Sequence, residues 1–257
     1  MTYMSLQSKS HLYATQDRVL SQLLGMRDAQ FAHAKLCGGT ALARFWLDHR
    51  ISYDLDFFFP EGFRAGELAR ACKQAGLNLQ VTDLVDDLKR ANQLHAYIQT
   101  DGMGAIKVSF IEDAYYTVYP PLKKALGGQK VLTESVEGIY HRKLRTVAGS
   151  AGEGDTVIGG RQTARDLFDL YALSKAHVPI LPFIKQLPYH FPTDAFCNGL
   201  VSMPWFDLAD ELSQIQASEQ WQEATQIELV QVHLLKEVGC TPLDDFDSPA
   251  WQADGQP

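Results

Sequence analysis

Two aspartates separated by one residue are the first feature of the sequence with the chemistry of a reactive site. Asp54 and Asp56 lie in the run 53–59, whose aromatic residues predict a short buried strand. Because side chains alternate along a strand, the two carboxylates share one face while Leu55 and Phe57 enter the core. Adjacent like charges need a cation between them, and oxygen ligands suit Mg²⁺ or Mn²⁺. The pair therefore predicts a metal site for phosphoryl or nucleotidyl transfer.

A glycine pair upstream can supply the phosphate-binding part of such a site. Gly38 and Gly39 follow a predicted strand at 32–37 and precede a short helix to about residue 48, with Thr40 as its expected N-cap. Glycines let a polyphosphate approach the backbone, and helix N–H groups favour an anion. Each signal alone fits an ordinary turn or a solvated strand. Together, with fourteen residues between Gly39 and Asp54 for one helix and a return turn, they predict a nucleotide site.

The apolar periodicity divides the remaining sequence into two parts. Helical spacing covers residues 6–24 and 64–75, and β-rich stretches cover 77–84, 93–100 and 105–111, the last two joined by an Asp101-Gly102 hairpin turn. From residue 134 onward the periodic segments are helical, at 134–148, 162–176, 205–217 and 220–238. We therefore predict an α+β fold, in which a small mixed β-sheet core flanked by helices (1–132) precedes a helical domain (133–243) and a disordered acidic tail (244–257).

Composition narrows the class of protein. The 257 residues are 46% hydrophobic and 21% charged, which excludes a disordered chain, and the four cysteines form no C-x-x-C pair, which disfavours a disulfide scaffold or a zinc site. No apolar run reaches the ~20 residues of a membrane span, and no signal peptide is apparent. We expect a cytoplasmic protein without a membrane partner. The glycine-rich stretch 149–160 lacks a complete nucleotide-binding pattern and is interpreted as a linker.

The net charge of −8 is unevenly distributed. Residues 1–150 hold 18 Lys/Arg and 15 Asp/Glu, a net charge of +3, whereas residues 151–257 hold 5 and 16, a net charge of −11. The total therefore does not exclude a nucleic-acid partner for the first part of the chain. An acidic helical part that is merely soluble explains the asymmetry equally well.

The run Gly38–Phe57 resembles the signature of the AbiEii/AbiGii toxin group of nucleotidyltransferases, a branch of the polymerase-β-like superfamily that includes the MenT-type toxins. Its pattern of Gly-Gly/Ser-Thr-Ala-Leu followed by Arg-x-Ser-x-Asp-Leu-Asp-Phe is filled at every position. Lys143 and the segment 161–171, which contains Arg161 and an Arg-Asp-x-x-Asp-Leu sequence, are similar to later motifs of the family. The resemblance covers about residues 36–173.

The resemblance implies an NTP-dependent nucleotidyltransferase that is the toxin of a type IV toxin–antitoxin or abortive-infection system. It implies tRNA as the acceptor, a cognate antitoxin as a partner, and Mg²⁺ or Mn²⁺ held by Asp54 and Asp56. The implied catalytic residues are Asp54, Asp56, Lys143 and Asp169. The implied nucleotide-binding residues are Gly38, Gly39, Thr40, Arg50, Ser52, Lys143, Arg165 and Asp166.

Several alternatives stay open at the level of the sequence. Lys143 can extend to solvent over apolar neighbours, Arg165 can pair with Asp169 in a structural network, and Arg50 and Ser52 can simply hold the aspartate strand. Ser109 occupies the position where the superfamily usually has a third carboxylate, which Asp169 can supply instead. The alternative functions are transfer to a protein or small molecule, or nucleotide binding without catalysis.

Overall fold

The computed structural model describes residues 6–87, 91–100, 104–151, 157–158, 160 and 163–240. The described chain forms two compact units. Unit 1 contains the residues up to Arg142 together with Gln216–Gln220, and unit 2 contains Lys143–Ile215 and the residues from Trp221 onward. The division falls inside a helix, later than the expected boundary at 132. The Asp101-Gly102 turn, Arg161, residues 152–156 and 159 of the 149–160 stretch, and the tail 244–257 lie outside the described residues.

Unit 1 is built on a mixed sheet, as predicted. Within the described residues its seven strands have the order β3-β4-β5-β2-β1-β7-β6. The pairs β2/β5 and β1/β7 are parallel and the other neighbours are antiparallel. The strands are β1 (Lys35–Cys37), β2 (Leu55–Phe59), β3 (Leu79–Val85), β4 (Gln93–Thr100), β5 (Gly104–Glu112), β6 (Leu122–Leu126) and β7 (Gln129–Thr133). The helices are α1 (Leu6–Gly25), α2 (Gly38–Leu42), α3 (Ala65–Gln74) and α4 (Val136–Ala148), which continues into unit 2.

The hairpin β6–β7 makes this sheet larger than the small sheet expected from the sequence. Gly127 and Gly128, with φ angles of 55° and 77°, form its two-residue turn, a conformation that suits glycine and matches the twist of paired strands. The lysine-rich strand β6 is mostly exposed and lacks the clear apolar alternation by which β4 was predicted. Tertiary pairing with β7 therefore decides its conformation.

One face of the sheet carries the aromatic core. Leu55, Phe57 and Phe110 are at most 1% exposed. The Phe57 and Phe110 rings stack with centroids 5.6 Å apart, and Phe31 meets Phe57 edge-on at 5.1 Å. Burial of such rings supplies most of the apolar stabilisation of unit 1. The alternate residues of β2, Asp56 and Phe58, consequently lie on the opposite face and are partly exposed.

A cluster of buried charges, Lys35, Asp113, Glu134 and Arg142, lies on the Asp56 side of the sheet. Lys35 and Glu134 are 0% exposed and joined at 3.0 Å, and Arg142 binds both Glu134 and Asp113. The guanidinium also lies 4.4 Å from the centre of the Phe58 ring. Burial alone would lower the pKa of Arg142, but the hydrogen bonds that it donates to Glu134 and Asp113 raise its pKa above the ordinary value. Arg142 therefore stays charged, and the cluster ties β1, β7 and α4 together.

Unit 2 is helical, as predicted from residue 134 onward. After the last turns of α4 it contains α5 (Ala164–Ala176), α6 (Ile180–Lys185), α7 (Thr193–Val201), α8 (Trp205–Ser213) and α9 (Ile227–Glu237). Short strands β8 (Ser150–Ala151) and β9 (Val157–Ile158) pair within the stretch interpreted as a linker. A Cβ at Gly199 would lie 2.6 Å from the Val147 carbonyl oxygen, so this glycine lets α7 approach the end of α4. No helix in the described ranges is both long and apolar enough to cross a bilayer.

We expect Glu134→Ala to lower the free energy of unfolding by about 3–5 kcal/mol, because Lys35 and Arg142 would remain buried without their shared carboxylate. Urea denaturation followed by circular dichroism measures the loss. Glu223→Ala is the matched control, since it removes the exposed partner of Lys175 and should cost less than about 1 kcal/mol. Equal losses in the two variants would contradict a stabilising role for the cluster.

Candidate active site

The glycine turn and the aspartate pair meet directly. Gly38 has a φ of 68°, and a Cβ built on it would lie 2.7 Å from Oδ2 of Asp56. The antiparallel pairing of β1 with β2 places Cys37 opposite Asp56 and so brings the start of α2 to this carboxylate. Glycine is therefore required here both by its conformation and by the space that Asp56 occupies.

Thr40 is not the N-cap that the sequence predicts. Helix α2 begins at Gly38, with Cys37 rather than Thr40 preceding it, and Thr40 is fully buried. Its hydroxyl donates to the backbone carbonyl of Asp54 and lies 2.9 Å from the Ser52 hydroxyl. The prediction of an N-cap at Thr40 is wrong because the N-cap of the helix is three residues earlier, at Cys37. Thr40 instead fixes the backbone immediately before β2, where Asp54 lies.

Arg50 and Ser52 lie against Gly39, the second glycine of the turn. A Cβ at Gly39 would be 2.5 Å from an Arg50 guanidinium nitrogen and 3.0 Å from the Ser52 hydroxyl oxygen. Arg50 is 4% exposed and donates to the Ile51 carbonyl at 3.1 Å. Gln16 of α1 donates to the Ser52 carbonyl at 2.8 Å. The structure thus brings Gly38, Gly39, Thr40, Arg50 and Ser52 together beside the two aspartates.

A late segment of the chain completes this part of unit 1. Arg50 pairs with Ala217 in an antiparallel bridge, and the Ile51 N–H donates to the Gln216 carbonyl at 2.9 Å. The Ser218 N–H donates to the His49 carbonyl, also at 2.9 Å. The sequence analysis missed this pairing, because residues 216–218 carry no strand pattern and their partners lie more than 160 residues earlier.

The register of the sheet places a row of side chains beside Asp56. Ser109 of β5 is its direct partner, and His95 of β4 is the partner of Ser109. Ser109 therefore does occupy the neighbouring-strand position that the sequence analysis identified. Burial, followed by the Glu134 carboxylate, raises the pKa of the Cys37 thiol on the other side of Asp56 well above its ordinary value. The Asp56 row is thus Cys37, Asp56, Ser109 and His95.

Three of the predicted residues meet within unit 2. The Lys143 ammonium lies 2.7 Å from an Asp166 oxygen and 2.6 Å from an Asp169 oxygen, and all three side chains are at most 10% exposed. The Thr163 hydroxyl also donates to Asp166, at 2.7 Å. Arg165 is exposed, and the cation that pairs with Asp169 is Lys143 rather than Arg165. Such a triad can fix an ammonium group for phosphate binding, or it can join α4 to α5.

The donors around Asp56 fit a magnesium ion whose remaining ligands come from the substrate. Asp54 and Asp56 are partly exposed, and the Asp56 carboxylate occupies the space that a side chain at Gly38 would need. No group of three or more Asp, Glu, His or Cys side chains in the described part of the chain is arranged to hold a metal. Two carboxylates with water and phosphate oxygens are a usual Mg²⁺ environment, and a closed protein cage is not.

We expect Gly38→Ala to weaken Mn²⁺ binding by about 10-fold, because the new methyl group displaces the Asp56 carboxylate. Manganese electron paramagnetic resonance measures the affinity. Gly76→Ala is the matched control: Gly76 has a φ of 77°, but nothing lies within 4 Å of its added Cβ. Both variants should lose about 1–2 kcal/mol of stability from backbone strain. An equal effect of both on Mn²⁺ affinity would contradict the assignment.

Comparisons with known proteins identify the family of the chain. The chain matches the family described as nucleotidyl transferase AbiEii toxin, type IV toxin–antitoxin system, over residues 21–234. No curated protein matches the chain.

Two solved structures share the fold. A candidate nucleotidyltransferase from H. pylori is 21% identical, with a TM-score of 0.52 over 92% of this chain and 95% of that chain. MenT4, a nucleotidyltransferase toxin from Mycobacterium tuberculosis, is 16% identical, with a TM-score of 0.50 over 93% of this chain and 85% of that chain. The family match spans most of the sequence, so the chain belongs to the AbiEii family of nucleotidyltransferase toxins.

Proposed function

We propose that this protein uses Mg²⁺ to transfer a nucleotidyl group from an NTP to a hydroxyl of tRNA, as the toxin of a type IV toxin–antitoxin system. The observation that carries the proposal is the close approach of the Asp56 carboxylate to Gly38, where an added Cβ would lie 2.7 Å from Oδ2 of Asp56. It brings a side-chain-free stretch of backbone, which suits a triphosphate, against a carboxylate pair that suits a metal.

The roles of the residues in unit 1 follow from their contacts. Asp54 and Asp56 would hold the metal, and bound Mg²⁺ would neutralise charge on the attacking and leaving oxygens. Gly38 and Gly39 admit the phosphates to the backbone. Thr40, through the Asp54 carbonyl, keeps the first aspartate in position. Arg50 and Ser52, which lie directly beneath Gly39, add a fixed positive charge and a hydroxyl to the nucleotide site.

Lys143 is assigned to the phosphates of the NTP in this proposal. Asp166 and Asp169 hold its ammonium group from two sides, which restricts the rotamers of a flexible side chain. Asp169 is assigned a catalytic role as a further carboxylate and Asp166 a nucleotide-positioning role. Arg165, being exposed, is assigned to the outer part of the nucleotide site.

A nucleic-acid acceptor is supported by charges in unit 1. Hairpin β6–β7, residues 122–133, contains Lys123, Lys124 and Lys130 and no acidic residue. Lys123 and Lys130 are exposed, and the register places them on the same side of the sheet as Asp56. Basic side chains on the catalytic face favour a polyanionic acceptor. The family name supports a cognate antitoxin as a further partner. We propose that the protein meets the tRNA and the antitoxin in the cytoplasm.

The decisive assay incubates the protein with total RNA, Mg²⁺ and each α-labelled NTP in turn. We expect label on purified tRNA, and we expect Asp54→Ala and Asp56→Ala to reduce it by at least about 100-fold because metal binding is lost. EDTA should abolish transfer, and added Mg²⁺ should restore it. Asp207→Ala, at an exposed position of α8 in unit 2, should leave transfer unchanged.

Three results would contradict the proposal in different ways. Undiminished labelling by the Asp56→Ala variant would exclude the assigned metal site. Label on protein or on a small molecule instead of RNA would replace tRNA as the acceptor. NTP binding without transfer in Mg²⁺ or Mn²⁺ would identify a nucleotide-binding protein that lacks catalysis.

A further inference from the structure

Nucleotidyl transfer to a hydroxyl requires a group that removes the hydroxyl proton, and the roles assigned above leave that group open. The inference below rests on the proposed function. Strands β4 and β5 extend the Asp56 side of the sheet beyond the aspartate pair. Their described residues can therefore be compared, one by one, as proton acceptors beside Asp56.

The sheet register places His95 on the same face as Asp56. Ser109 lies opposite Asp56 in a parallel pair, and His95 lies opposite Ser109 in an antiparallel pair. The neighbours of His95 on β4, Leu94 and Ala96, are 0% exposed and face the core, so His95 faces the other way. With strands about 4.8 Å apart, the Cα atoms of His95 and Asp56 lie about 10 Å apart. That distance leaves space for a hydroxyl and a phosphate between their side chains.

The described groups that lie nearest Asp56 and His95 in the sheet register are less suited to accept the proton. Ser109 is not basic, and Cys37 is buried with its thiol pKa raised. Lys107 and Tyr97, which flank His95 along the same face, are ordinarily protonated at pH 7. Asp83 of β3, the partner of His95 on the far side, lies one strand farther from Asp56. The neutral imidazole of His95 is the remaining base in this part of the described sheet.

A neighbouring amide orients the imidazole. The Gln93 side-chain oxygen lies 3.2 Å from Nε2 of His95. Donation from Nε2–H to this oxygen selects the tautomer in which Nδ1 carries the lone pair. Gln93 is thus a positioning residue, and Nδ1 is the atom that takes the proton.

We infer that His95 is the general base of nucleotidyl transfer. The acceptor O–H proton passes to Nδ1 of His95 while the acceptor oxygen forms a bond to the α-phosphorus. The bond between the α-phosphorus and its bridging oxygen to the β-phosphorus breaks, and pyrophosphate leaves with that electron pair. The imidazolium then returns the proton to solvent, which regenerates the neutral base.

Three titratable groups of the described strands face His95: Asp83 of β3, Lys107 of β5 and Tyr97 of β4. A protonated imidazole cannot take the proton of the acceptor hydroxyl, so the rate of transfer should fall as the pH is lowered.

The test measures single-turnover transfer of labelled nucleotide to tRNA by the full chain between pH 5 and 8. We expect His95→Gln to slow transfer by about 100-fold or more at pH 7.5 and to remove the acidic limb of the profile. NTP affinity, measured by equilibrium dialysis with a non-hydrolysable NTP, should be unchanged. His11→Gln, at an exposed position of α1, is the matched control and should retain the wild-type profile.

A second variant shows whether His95→Gln slows transfer because the base is lost or because the sheet is disrupted. Ser109 lies between Asp56 and His95, so Ser109→Asp places a carboxylate closer to Asp56 than His95 is. Adding it to His95→Gln should restore transfer at least 10-fold, with the acidic limb moved towards the carboxyl range. The inference would be overturned if His95→Gln transferred nucleotide at the wild-type rate. It would also be overturned if the double variant were no faster than His95→Gln alone. Absence of transfer by the wild-type chain would instead contradict the proposed function.

Discussion

Unit 1 depends on the neutralisation of one buried carboxylate. Glu134 lies between the end of β7 and the start of α4, without solvent exposure, and binds both Lys35 and Arg142. Gly138 makes this possible, because a Cβ at that position would lie 2.5 Å from the Glu134 side chain. Since Lys35 belongs to β1 and Arg142 lies over Phe58 of β2, the cluster fixes the two strands that carry the glycine turn and the aspartate pair. An unpaired charge here would cost more than most apolar contacts supply.

The candidate site is held in place mainly through the backbone of the strands that the Glu134 cluster fixes. Several of its close contacts place a side chain against the main chain: Thr40 against the Asp54 carbonyl, Gln16 against the Ser52 carbonyl, and Asp56 beside Gly38. Main-chain positions are set by the sheet, so the backbone that carries the two carboxylates is fixed before any ligand arrives. Preorganisation of this kind would lower the cost of collecting like charges around the proposed metal.

The sequence predicted the local elements of the candidate site better than their long-range assembly. The strand of Asp56, the glycine turn and helices α1, α3, α4 and α5 follow from local periodicity and turn residues, and the mixed α/β fold and the family are confirmed. Thr40 was misassigned because a capping residue and a buried hydroxyl have the same sequence pattern. The pairing of Arg50 with Ala217 depends on contacts between distant segments, which no local pattern encodes. The alternation of polar residues along β4 did mark the face of His95, but only the register placed it beside Asp56.

The return of residues 216–220 to unit 1 has a consequence for protein synthesis. The chain leaves unit 1 after Arg142, builds most of unit 2, and only then supplies the backbone that pairs with Arg50. A ribosome that has translated the glycine turn and both aspartates has therefore not yet produced the partner that holds the arginine beneath Gly39. Translation order thus delays completion of the proposed nucleotide pocket until residues 216–218 have been made. A truncated nascent chain would be correspondingly less able to harm the cell that makes it.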